Sequence, residues 1–174
     1  MTPLQTSASV RRLTRLALLT AVALSIHLLE GLLPNPLPVP GAKLGLANVI
    51  TLYALFTAGP GDTLLVLLAR ILLGSLFSGR GTTLFYSLAG GLLCFSVVWL
   101  LHRVLTRRQL WVAGVIGGIC HNIGQIAVAI ALTRTPALIV YLPWLILCGM
   151  GTGLFTGLCA RFLLEKLPEK LKKW

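Results

Sequence analysis

Apolar residues fill six long stretches of the chain, roughly 14–33, 44–59, 63–78, 82–102, 111–132 and 137–164. Short polar or helix-breaking segments punctuate them: PNPLPVPGAK, GPGD, SGRG, HRVLTRRQ and TRTP. A helix needs about 20 apolar residues to cross the hydrocarbon core, and fewer where neighbouring helices shelter its polar positions. The pattern predicts an all-α integral membrane protein of six transmembrane helices. Its connections are too short to hold a second domain, so residues 1–174 form one.

Polar side chains interrupt these stretches with helical spacing. In GVIGGICHNIGQ, at about 100° per residue, Gly114, Gly117, Gly118, His121, Asn122 and Gln125 fall in one wedge. Ile116, Ile119, Ile123, Ile126 and Ile130 fall opposite, and the expectation is that they face lipid. In the third stretch Arg70 shares a wedge with Thr63, Gly74, Phe77 and Ser78, opposite Leu65, Leu68 and Leu72. Gly149, Gly153 and Gly157 recur every four residues in the sixth, a spacing that lets another helix approach closely.

Composition agrees with the membrane reading. Hydrophobic residues make up 56% of the chain, charged residues only 11%, and the mean hydropathy is +0.90; soluble domains carry about 25% charged residues. The net charge of +11 raises the question of nucleic acid. The basic residues lie in short clusters between apolar stretches, however, and not along one polar face, so no nucleic-acid partner is expected. Eleven of the fifteen lysines and arginines fall in the N-terminal tail, the fourth connection and the C-terminal end, against Lys43, Arg80 and Arg134 on the other side. The positive-inside rule then places both termini in the cytoplasm of a multi-pass cell-membrane protein. Arg11, Arg12 and Arg15 precede the first apolar stretch as in a signal peptide, but no small-residue cleavage site follows, and the stretch is read as the first span.

Ionisable and amide groups at membrane depth face the bundle interior or a wet cavity by default. The candidates for a binding site in the outer half of the membrane are Lys43, Asn48, Arg70, His121, Asn122 and Gln125. Two plainer roles compete with it: interhelical hydrogen bonding by the amides, and an ion pair between Arg70 and Glu30, the one carboxylate at a suitable depth. Asp62 precedes Thr63 after Gly59-Pro60-Gly61 and is expected to cap the third helix. Prolines 34, 36, 38 and 40 predict a stiff, extended lid over the outer cavity. His121 also permits a pH-dependent step. Aromatic residues near the same level are Phe77, Phe85, Tyr86, Tyr141 and Trp144, of which Phe77 and Tyr86 are candidates to stack on a planar ligand and most of the others suit an interfacial belt.

Nothing suggests catalysis. The chain has no nucleophile–base pair, carboxylate pair, metal cluster or phosphate loop with an accompanying lysine, so neither an enzyme, a catalytic cofactor nor a metal is expected. Cys94, Cys120, Cys148 and Cys159 stand singly inside apolar runs and read as packing residues.

The segments LPVPGAKLGLANVITLYAL, LLARILLGSLFSG, SLAGGLL and GGICHNIGQIAVA followed by YLP resemble the signature segments of the Gx transporter family, often labelled heptaprenyl diphosphate synthase component I. The resemblance covers all but the extreme termini. It implies a six-helix fold similar to the substrate-binding S components of energy-coupling factor transporters, with the ligand near the extracytosolic face. It further implies a flavin, FMN foremost, carried across the membrane to supply extracytosolic flavinylation. Lys43, Arg70 or Arg134 would then neutralise the phosphate, and Asn48, His121, Asn122 and Gln125 would bond the ring or ribityl chain. Ala17 and Ala21 resemble the small-residue surface on which S components dock a coupling transmembrane subunit with its ATPases. The alternatives are an S component for another vitamin or small anion, and a membrane subunit assisting prenyl diphosphate synthesis.

Overall fold

The structure, a computed structural model, describes residues 3–32, 43–79 and 81–167. Six α-helices follow one another: α1 (Pro3–Leu32), α2 (Asn48–Thr57), α3 (Pro60–Ser78), α4 (Gly81–His102), α5 (Leu110–Thr133) and α6 (Leu142–Lys166). Short 3₁₀ turns at Arg107–Gln109 and Pro136–Tyr141 lead into α5 and α6. No strand occurs among the described residues. The proline-rich lid and Arg80 lie outside them.

Five of these helices are long and apolar enough to cross a bilayer; α2 is not. The expected span over 44–59 is corrected to a ten-residue helix starting at Asn48. At 1.5 Å per residue it rises about 15 Å, half the thickness of the hydrocarbon core. Its start is set by Gly45, whose φ of 82° breaks the helical path. Tight turns then wind the chain into the helix, with Asn48 N–H bonding Gly45 O at 3.0 Å and Val49 N–H bonding Leu46 O at 3.1 Å. Every residue from Asn48 to Leu55 is buried, so α2 is apolar because protein, not lipid, surrounds it.

Helices α5 and α6 run antiparallel along a glycine seam. A Cβ on Gly157 would lie 2.6 Å from Leu110 O, one on Gly153 2.9 Å from Val115 Cα, and one on Gly149 2.8 Å from Gly118 O. The predicted small-residue face of the sixth helix is therefore real, and its partner is α5. Helix α4 packs antiparallel on the next face of α5, where Gly117 meets Cys94 and Val98 and Gly124 meets Ala89. The single glycine wedge read from the sequence thus serves two neighbours. Ile126 is a second correction: it is buried with Tyr86, Ala129 and Leu145, while Ile123 is exposed.

At the end where α1 and α3 begin, Arg12 Nε donates to both carboxylate oxygens of Asp62 at 3.0 and 3.1 Å. This replaces the expected cap: the α3 N-cap is Gly59, with no side-chain capping bond. The same end carries the edge-to-face contact of Phe56 with His102 and the guanidinium of Arg103 over Trp99. Arg107, Arg108 and Arg161 lie at the matching helix ends. Large apolar side chains such as Leu18, Leu29, Phe85, Trp144, Phe155 and Phe162 are exposed around the bundle. An apolar perimeter of that extent requires lipid. The chain is a helical, multi-pass membrane protein.

Candidate functional site

The polar residues predicted from the sequence converge where the end of α1 and the start of α2 meet the middle stretches of α3, α4 and α5. Segment 43–47, which enters α2, is the hub. Gln125 of α5 grips the backbone of Lys43 at both ends: its Oε1 accepts from Lys43 N–H at 3.1 Å and its Nε2 donates to Lys43 O at 3.1 Å. Glu30 of α1 grips the next two residues, Oε1 accepting from Gly45 N–H at 2.7 Å and Oε2 from Leu46 N–H at 3.0 Å. These fastenings satisfy amides that the irregular helix start would otherwise leave unbonded in a buried place.

The double grip fixes the Gln125 amide, because a flipped amide would set donor against donor and acceptor against acceptor. Its Nε2 also lies 2.6 Å from His121 Nε2. The histidine nitrogen must accept there, so His121 is neutral and carries its proton on Nδ1. Nδ1 is buried against Gly90 of α4, where it makes no hydrogen bond of good geometry. The ring sits between Gly45 and Gly90, within 2.9 Å of a Cβ placed on Gly90.

A second histidine belongs to this cluster and was missed in the sequence. His27 is 2% exposed, and Lys43 Nζ donates to its Nε2 at 3.0 Å. Its ring occupies the space that a side chain on Gly74 would fill, 2.6 Å from the Cβ position. The signal was present: His27 and Glu30 are three residues apart, hence on one face of α1, and both are polar at membrane depth.

Arg70 lies one turn before Gly74 and is 2% exposed. Its Nη2 is 3.9 Å from the Cβ position on Gly91 of α4, next to the glycine that holds His121. No ion pair joins Arg70 to Glu30, whose oxygens are taken by the backbone of Gly45 and Leu46. The expected structural pair is therefore absent among the described residues. Among the described residues Arg70 Nε and Nη2 have no hydrogen-bond partner, and neither do Asn48 Oδ1 and Asn122 Oδ1.

The predicted residues thus divide. Lys43, Asn48, Arg70, His121 and Gln125 gather around segment 43–47. Asn122 turns to the neighbouring face, where its Nδ2 donates to Leu145 O at 2.6 Å and ties α5 to α6. Phe77 is corrected: it is 68% exposed, two turns beyond Arg70 along α3 and outside the buried cluster. Tyr86 is buried one turn from Gly90, in the apolar group with Ile126 and Leu145. Arg134 is exposed at the end of α5. Ala17 and Ala21 both lie on the exposed side of α1.

Asn48 Oδ1, Arg70 Nε and Nη2, His121 Nδ1 and Asn122 Oδ1 are all buried. A buried polar group left unbonded costs about 1–3 kcal/mol, and more when it is charged. Two cations, Lys43 and Arg70, face one carboxylate, Glu30. What the arrangement lacks is an acceptor, preferably an anionic one.

The family model for heptaprenyl diphosphate synthase component I matches residues 19–163. No curated protein matches, and no solved structure does. The matched stretch runs from the middle of α1 almost to the end of α6 and takes in every residue of the polar cluster, so the chain belongs to the heptaprenyl diphosphate synthase component I family.

Proposed function

We propose that this protein binds an anionic flavin, FMN, at the buried polar cluster and carries it across the membrane to supply extracytosolic flavinylation. One observation carries the reading: Arg70 is buried and, among the described residues, no carboxylate is bonded to it, since the nearby Glu30 is engaged with the backbone of Gly45 and Leu46. A ligand phosphate supplies the missing charge, and riboflavin, which lacks it, does not. Asn48 and His121 offer an acceptor and a donor for the ring or ribityl chain, and Tyr86 is the aromatic candidate left for stacking.

In this reading the bundle works as S components do, with both termini cytoplasmic and the ligand taken from the extracytosolic half. The arrangement around segment 43–47 is read as the closed form of that cycle. Exposure of the site requires segment 43–47 to leave Gln125 and Glu30, after which alternate exposure moves the ligand with no covalent step and no enzymatic activity. The exposed Ala17 and Ala21 are available to a coupling subunit with ATPases. The test is titration of purified protein with FMN, FAD and riboflavin, followed by flavin fluorescence. FMN binding that depends on Arg70 supports the proposal; no binding of any of the three ends it.

The family description favours a second reading, a membrane subunit assisting prenyl diphosphate synthesis. In this reading magnesium diphosphate is held elsewhere, since the chain lacks aspartate-rich motifs and its single aspartate, Asp62, is paired with Arg12. The second reading therefore needs a soluble synthase as partner. Copurification of one, with altered prenyl chain length on deletion, would favour it over flavin transport.

A further inference from the structure

The two unpaired nitrogens of Arg70 are not an arbitrary pair. Nε–H and the adjacent Nη2–H lie along one edge of the planar guanidinium and point the same way. That edge matches two oxygens on one centre, as in a carboxylate or a phosphoryl group. Both atoms are buried and both lack an acceptor.

The surroundings leave no internal candidate. Glu30 spends both oxygens on Gly45 and Leu46. Asn48 Oδ1 is itself without a donor, so it is not bonded to the guanidinium although pairing would satisfy both, and Asn122 is turned toward α6. Gly91, opposite Nη2, presents no side chain. A lone halide accepts both N–H groups only at a single point, with both bonds bent, whereas two oxygens on one centre accept each N–H along its own line.

We infer that the Nε–Nη2 edge of Arg70 is a bidentate receptor for a two-oxygen oxyanion carried on an organic ligand. This rests on the reading of the cluster as a ligand site but not on flavin as the ligand. A flavin monophosphate and a prenyl diphosphate present the same group on different tails. The receptor is specific for the group; the remaining cluster decides the tail.

Arg70→Lys is the informative variant, since it keeps the charge and removes the fork. Protein in maltoside detergent, free of lipid phosphate, is titrated with two pairs of probes: FMN against riboflavin, and farnesyl diphosphate against farnesol. In the native protein at least one phosphorylated probe binds about 100-fold more tightly than its neutral partner, the scale of one well-formed charged hydrogen-bonding pair. Arg70→Lys reduces that preference to under tenfold and leaves the neutral partner's affinity within about threefold. A preference unchanged in Arg70→Lys overturns the inference while leaving flavin transport standing. A preference for farnesyl diphosphate alone, lost in the variant, upholds the inference and ends the flavin reading.

Should Arg70→Lys fail to fold, the native protein supplies the answer. In a spectrum of ¹⁵N-labelled arginine side chains, one slowly exchanging Nε–H resonance belongs to the buried arginine. Orthophosphate, FMN or farnesyl diphosphate should move it downfield, and chloride should not. No movement with any of the three oxyanions, or equal movement with chloride, overturns the inference.

Discussion

Gln125→Leu removes the fastening of segment 43–47 while keeping a side chain of similar size. Three hydrogen bonds are lost, two to the Lys43 backbone and one to His121. At about 1 kcal/mol net for each bond the loss is about 3 kcal/mol. At the smaller average of about 0.6 kcal/mol measured between membrane helices it is about 2 kcal/mol. Opening of the segment should therefore become about 30- to 150-fold more frequent, at 1.4 kcal/mol per factor of ten. Amide hydrogen exchange reads this best at Gly45 and Leu46, because their N–H groups bond Glu30 and keep their own acceptors in the variant. Faster exchange there reports release of the whole segment, with α4 and α5 amides unchanged. Acceleration of less than about threefold at both residues would refute the view that Gln125 holds the site closed.

Three further outcomes follow from the same contacts. Gly153→Ala forces a Cβ to within 2.9 Å of the backbone at Gly114 and Val115, whereas one on Gly151 meets nothing within 4 Å. Thermal unfolding in detergent should show Gly153→Ala losing several kcal/mol and Gly151→Ala unchanged or slightly more stable, by up to about 1 kcal/mol. Lys43→Ala should weaken FMN more than riboflavin in fluorescence titrations; equal losses would restrict the lysine to its bond with His27 and the shape of the segment. Phe77→Ala should leave flavin affinity within about twofold, since an exposed phenyl ring on the lipid side contributes nothing to the cluster; a tenfold loss would return Phe77 to the site.

The bundle was legible because lipid imposes one rule on every span: backbone groups bond within the helix and apolar side chains face outward. That rule fixed the existence of six helices and the inward direction of Arg70, His121 and Gln125. It misjudged α2, because a helix wrapped in protein and one wrapped in lipid have the same hydropathy. Ile126 was placed on the wrong side for a related reason, since a helix packed against two neighbours buries more than half its circumference. Phe77 shares an angular wedge with Arg70, but it lies two turns further on, where the bundle no longer covers it. His27 was overlooked although its spacing from Glu30 marked it. The partners of Gln125 and Glu30 could not be read at all, because they are main-chain atoms of a glycine-kinked segment, one of them 82 residues away. Asp62 followed the local rule for a cap, and a tertiary partner, Arg12, claimed it instead.

Native mass spectrometry of the protein extracted gently from its own membrane would identify what Arg70 holds. The expected result is a retained flavin carrying a phosphate, present in the native protein and absent from Arg70→Met. A retained ligand with neither phosphate nor carboxylate, or one retained equally well by Arg70→Met, would contradict it.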